Sequence, residues 1–170
     1  MNRNITTVWK TIRLGTGLKT VEEFRNAMKK NGTHIRGYAN DIFGRCNLIV
    51  ATQEKEVDLV RPSVEELGFK NGATLDTIYG RAPELGFRLC PMEVGPQLCL
   101  QYESKGERYN IAMSAITFWS GGRLGGTEHF IFHCEGESKL SLRVTEGHPG
   151  RFHLSHDRFV FIKPRNQERQ

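Results

Sequence analysis

Near Leu98 the apolar pattern of this chain changes its period, and that change limits the folds open to it. Upstream, apolar residues recur every three or four positions in several stretches. Downstream, apolar and polar residues alternate. Helical segments in the N-terminal half packed on a mainly antiparallel, hairpin-rich sheet in the C-terminal half satisfy both periods, so the sequence predicts an α+β fold. The 170 residues are read as one domain, helix-rich over 1–90, an antiparallel sheet over 98–163 and a short polar tail over 164–170. A chain of this length buries about two thirds of its unfolded surface, so it needs neither metal nor disulfide to fold.

In the first half, TTVWKTIRL alternates as a strand, with Val8, Ile12 and Leu14 on one side. KTVEEFRNAMKKNG reads as a helix, with Thr20 and Glu23 spaced as a capping box and Val21, Phe24, Ala27 and Met28 as its buried stripe. THIRGYANDIFG is predicted as a second helix with Ile35, Tyr38, Ala39 and Ile42 inward. The two together invite a helix-turn-helix comparison, but the second offers only His34 and Arg36 as basic groups. CNLIVATQ and EVDLVRP read as strands. Ser63 and Glu66 open a single helical turn, and ATLDTIYGRAPELGF is a third, bent helix.

In the second half, LCLQYESKGERYNIAM is predicted as a hairpin turning at Lys105-Gly106. EHFIFHCE and KLSLRVT form the next hairpin. A loop of Gly136, Glu137 and Ser138 sets Cys134 opposite Leu140, Phe132 opposite Leu142 and Phe130 opposite Val144, with Cys134 facing the core. His129 and His133 then share the polar face with Ile131 and Arg143. Four residues along a strand span about 13 Å, whereas zinc ligands lie about 2 Å from the ion, so this pair is not expected to share a metal. No metal site and no cofactor are expected.

Other chemistry is sparse. The glycine-rich WSGGRLGGTE carries Arg123 but lacks the order of a phosphate loop, and it is read as a connection between strands. In LCPMEVGPQL, Cys90 precedes Pro91, Glu93 follows it, and Gly95-Pro96 is read as a turn. A cysteine nucleophile needs a base and a lowered pKa, and no cysteine-enzyme signature surrounds Cys90. In HPGRFHLSHDRFVFIKPR, Phe159 and Phe161 alternate with Val160 and Ile162, the pattern of a central strand buried on both faces.

The formal charge of +5 permits contact with a polyanion, although acidic residues are interleaved throughout. No segment has the length and apolarity of a membrane span, and a cytoplasmic location with free thiols is expected. The sequence therefore predicts a small binding or accessory protein rather than an enzyme, with a protein or polyanion partner and nucleic acid among the candidates. Contacts are expected from Arg123, His129, His133, Arg143 and Arg151. The alternative is a hydrolase-like enzyme using Cys90 with a histidine, or His129 and His133 with Glu128, its candidate catalytic residues being Cys90, Glu93, His129 and His133. Ligand identity and oligomeric state are left open.

The runs VWKTIRLGTGLKTVEEFRNAMKKNG, VEELGFKNGATLDTIYGRAPELGF, LCPMEVGPQLCLQY and DRFVFIKPR resemble a group of uncharacterised small bacterial proteins, many from candidate phyla. The resemblance implies a bacterial, cytosolic, single-domain protein. It carries no functional residue across.

Overall fold

The computed structural model describes residues 5–103, 106–113, 116–120, 123–128, 130–135 and 141–165. In chain order the elements are β1 (Lys10–Leu14), α1 (Val21–Lys30), β2 (His34–Ile35), α2 (Tyr38–Arg45), β3 (Lys55–Val60), β4 (Ala73–Thr74), α3 (Leu75–Glu84) and α4 (Val94–Gln101). These are followed by β5 (Tyr109–Ile111), β6 (Ile116–Ser120), β7 (Arg123–Glu128), β8 (Phe130–Glu135), β9 (Ser141–Glu146), β10 (Phe152–His153) and β11 (Phe159–Lys163). The chain is α+β.

Seven strands form one sheet in the order β1-β3-β11-β5-β8-β9-β2. The β11–β5 and β2–β9 pairs run parallel and the other neighbours antiparallel, so the sheet is mixed. Helices and strands are not divided between the two halves of the chain as the sequence predicted. β1, β2 and β3 come from the first half, and α4 follows residue 90. β11 sits between β3 and β5, with Phe159, Val160 and Phe161 all buried, as its unbroken apolar run implies.

Each face of the sheet carries its own core. On one, Ile12, Leu14, Leu59, Ile111, Leu142 and Val160 meet Met28 of α1, Ile42 and Phe43 of α2, and Leu98 of α4. On the other, Val60, Ala112, Phe159 and Phe161 meet Leu75, Ile78 and Ala82 of α3. The α1 capping box forms as predicted: Glu23 N–H donates to Thr20 Oγ1 at 3.2 Å, and Thr20 N–H donates to Glu23 Oε2 at 2.8 Å. Ser63 and Glu66 exchange the same reciprocal bonds, but around a turn rather than a helix. The second predicted helix is shorter than expected. His34–Ile35 pairs with β9, Tyr38 is exposed, and Ala39, Ile42 and Phe43 face inward.

The predicted hairpin over residues 98–113 does not form. Val94–Gln101 is a helix, and β5 pairs with β8 and β11 instead. Gly95 and Pro96 were read as a turn, yet both lie in the first turn of α4, where a missing N–H costs no intrahelical bond. The apolar residues Leu98 and Cys99 are buried together, which a half-buried strand would not allow. The hairpin of β8 and β9 does form, with its register two residues from the prediction. Cys134 pairs with Leu142, Phe132 with Val144, and His133 with Arg143. A slip of two preserves the facing of every side chain. Arg123–Glu128, read as a connection, is itself a strand paired with β6.

Gly72 shows how tightly the short ladder of β4 and β10 is held. Its φ is +87°, and an added Cβ would come within 2.4 Å of the His153 carbonyl oxygen and 2.7 Å of the Phe152 ring. Gly72→Ala is expected to destabilise the fold by about 1–2 kcal/mol, read as a lower urea midpoint at unchanged m.

Candidate functional site

On the face carrying Phe159, the segment before β11 lies beside α3 and lines a cavity together with Asn110 of β5 and His133 of β8. That segment is stitched down by backbone bonds. Leu75 and Asp76 donate to the carbonyls of Arg151 and Pro149 at 2.9 and 3.0 Å, and Val64 donates to Asp157 at 2.9 Å. The first N–H groups of α3 are thereby satisfied by the segment itself. Between it and the sheet lies a cavity of about 640 Å³, a size typical of small-molecule sites.

Its described lining includes four arginines, Arg61, Arg108, Arg151 and Arg158, against two carboxylates, Glu107 and Asp157. Asn110, His133, His153 and His156 also line it, with Phe152 and Leu154. Arg151 Nη1 donates to the Glu146 carbonyl at 3.4 Å, and two further arginines have carboxylate partners. Arg61 forms a two-pronged pair with Glu107 and lies over the Trp9 ring, 4.6 Å from its centroid. Arg158 reaches the Arg61 carbonyl at 3.1 Å and Glu66 at 3.3 Å. Arg108 and Arg151 are exposed at the mouth.

His133 was predicted on the outer polar face; it is instead 4% exposed. Its Nδ1 lies 2.6 Å from Asn110 Oδ1 and its Nε2 2.7 Å from Thr145 Oγ1. The amide oxygen can only accept, so Nδ1 carries the proton and Nε2 accepts from the threonine hydroxyl. Burial, followed by the nearby charges of Arg108, Arg151 and Arg143, pushes the His133 pKa down to about 3. The imidazole is neutral and both nitrogens are engaged.

His153 differs. It is 6% exposed, its Nδ1 is 3.5 Å from Asp157 Oδ2, and its ring meets Phe159 edge-on at 4.9 Å. Its Nε2 is buried without a hydrogen-bond partner in the protein. Burial holds its pKa below the ordinary histidine value, against the opposing pull of Asp157.

The other sequence candidates are dispersed. Arg151 joins His133 at the cavity, and Arg143 is exposed beside His133 on β9. The backbone of Arg123 belongs to β7, and His129 lies outside the described residues. Cys90 is fully buried in the core, its thiol contacts the Val160 carbonyl at 3.4 Å, and burial pushes its pKa up. Glu93 is buried too. Its carboxylate accepts from the Gly15 and Ala51 N–H groups at 2.7 and 2.8 Å and from Gln97 Nε2 at 3.2 Å. That arrangement ties two loops to the start of α4. Among the described residues, no group of three or more His, Cys, Asp or Glu side chains is placed to hold a metal ion, and no helix is long and apolar enough to cross a membrane.

Sequence reasoning did not single out Arg61, Arg108, Asn110, Asp157 or Arg158. A signal was present, since RFHLSHDR places two arginines, two histidines and an aspartate ahead of a strand that is apolar on both faces. Comparison with protein-family models, with curated proteins and with solved structures finds no match for this chain.

Proposed function

We propose that this protein is a binding protein for a small anionic ligand, seated in the cavity between the sheet and the segment before β11. The observation that carries this reading is the convergence of four arginines on a cavity that also holds two buried histidines. A guanidinium offers a planar fork of donors suited to phosphate or carboxylate. The cavity volume of about 640 Å³ suits a ligand of nucleotide size rather than a duplex, which narrows the polyanion partner to a compact anion or the end of a chain. The rival, a hydrolase-like enzyme built on Cys90, is disfavoured by the depth of that thiol and by its raised pKa. His133 is a poor general base because Asn110 and Thr145 occupy its ring nitrogens.

Calorimetric titration with inorganic phosphate, glycerol 3-phosphate and adenosine 5′-monophosphate at low salt tests the proposal. At least one of these anions is expected to bind, with affinity falling as salt rises. The Arg108→Ala, Arg151→Ala double variant is expected to bind at least about tenfold more weakly, given that charge-assisted bonds contribute roughly 1.5–3 kcal/mol each. Absence of binding for all three anions, or full affinity in the double variant, would reject an anion site here.

A further inference from the structure

Among the described residues, one buried polar side-chain atom lacks a hydrogen-bond partner, and its residue lies on the cavity wall. His133 is bonded at both nitrogens, and Arg61 and Arg158 have carboxylate partners. The exception is His153. Its backbone is fixed by pairing with Ala73, and its ring is held edge-on against Phe159. Asp157 is itself positioned, because its Oδ2 accepts from the Leu154 N–H at 3.0 Å and its own N–H donates to the Leu154 carbonyl at 3.0 Å. A fixed carboxylate 3.5 Å from Nδ1 favours the tautomer with the proton on Nδ1. Nε2 then presents a lone pair, buried and unmatched. Native proteins seldom leave such an atom orphaned, and a missing partner points to a bound molecule.

A fully ionised phosphate or carboxylate has no hydrogen to offer that lone pair. We infer that the ligand carries an O–H or N–H donor beside its anionic group, the anion meeting the arginines and the donor meeting His153 Nε2, as in a hydroxylated phosphate ester. This rests on the anion-binding reading above and narrows the ligand to a class. A site built around a buried acceptor discriminates strongly against an analogue that lacks the matching donor.

Glycerol 3-phosphate and propyl phosphate separate the two terms, since they share the phosphate and the three-carbon chain and differ in the hydroxyls. At pH 7.5, wild-type protein is expected to bind glycerol 3-phosphate at least about tenfold more tightly. In His153→Phe that ratio should fall towards one, with propyl phosphate affinity within about threefold of wild type. Nitrogen-detected NMR of the His153 ring gives a second readout that needs no variant. Nε2 should shift from a bare to a hydrogen-bonded acceptor with glycerol 3-phosphate and stay put with propyl phosphate. Equal affinities in wild type, or an Nε2 signal indifferent to both ligands, would overturn the inference while leaving the anion site standing. If neither phosphate binds and the panel above also fails, the anion-binding reading itself falls. A His153→Phe variant that weakens both ligands alike would make His153 a support of the cavity wall and would also overturn the inference.

Discussion

Glu93→Ala is expected to destabilise the protein by about 3–5 kcal/mol, the largest effect among single substitutions at the sequence candidates. The wild-type carboxylate is 1% exposed and answers two backbone N–H groups, Gly15 and Ala51, that come from separate loops. Each buried donor left without an acceptor costs about 1–3 kcal/mol, and Gln97 Nε2 loses a third contact. Glu93→Gln separates charge from shape. One amide oxygen can serve only one loop well, so an intermediate loss of about 1–3 kcal/mol is expected. Urea unfolding at constant m provides the measurement. A near-neutral Glu93→Ala would mean that the carboxylate does not tie the loops and would reopen a chemical role for it.

The second large effect is a pH dependence. The His133 pKa, about 3 in the folded protein, lies below the ordinary value of 6.5 that the unfolded chain recovers. The unfolded state therefore binds the proton first as pH falls, and the native state is penalised. The stability that depends on a neutral His133 is fully present above about pH 6.5 and is lost progressively below it, by about 3 kcal/mol at pH 4. The charged neighbours Arg108, Arg151 and Arg143 act in the same direction as burial. His153, also lowered, contributes in the same window. The carboxylates of Asp58, Glu23 and Asp76 are held below their ordinary values, so their contributions are lost at lower pH. Comparing urea midpoints of wild type and His133→Gln at pH 7, 6, 5 and 4 isolates the His133 contribution. The variant should be less stable at pH 7 and clearly flatter below it. Parallel curves would mean that His133 does not control this window.

Local signals in the sequence were read well where one element carried all of its own information. Thr20 and Glu23 announced α1, and the unbroken run from Phe159 to Ile162 announced a strand covered on both faces. Alternation fixed which way the residues of β9 face, but not their partners. Five residues, 136–140, separate the paired ends of β8 and β9, where the prediction allowed three. α4 was missed because Gly95-Pro96 is a turn signal everywhere except in the first turn of a helix. Its polar residues Glu93, Gln97 and Gln101 recur every four positions, a helical stripe hidden by the apolar residues around it. The burial of His133 was illegible for another reason. Its cover comes from residues near 150–158, and no local pattern reports what a distant segment will lie upon. The same distance hid the cavity, since Arg61, Arg108 and Arg151 meet only through the tertiary fold.

The place of β11 bears on how the protein is made. It follows every other described strand in sequence yet stands third across the sheet, and among the described strands it alone joins the pair β1–β3 to the group β5–β8–β9–β2. During vectorial synthesis residues 159–163 are made after the other described strands, so the pairings of β11 with β3 and β5 cannot form before them. The pairing with β3 demands contacts between segments about a hundred residues apart, a topology that folds slowly because loop closure precedes its reward. Unpaired edges before then are exposed to other chains. The lifetime of an unfinished sheet is a kinetic quantity, one that the contacts of the finished fold do not set.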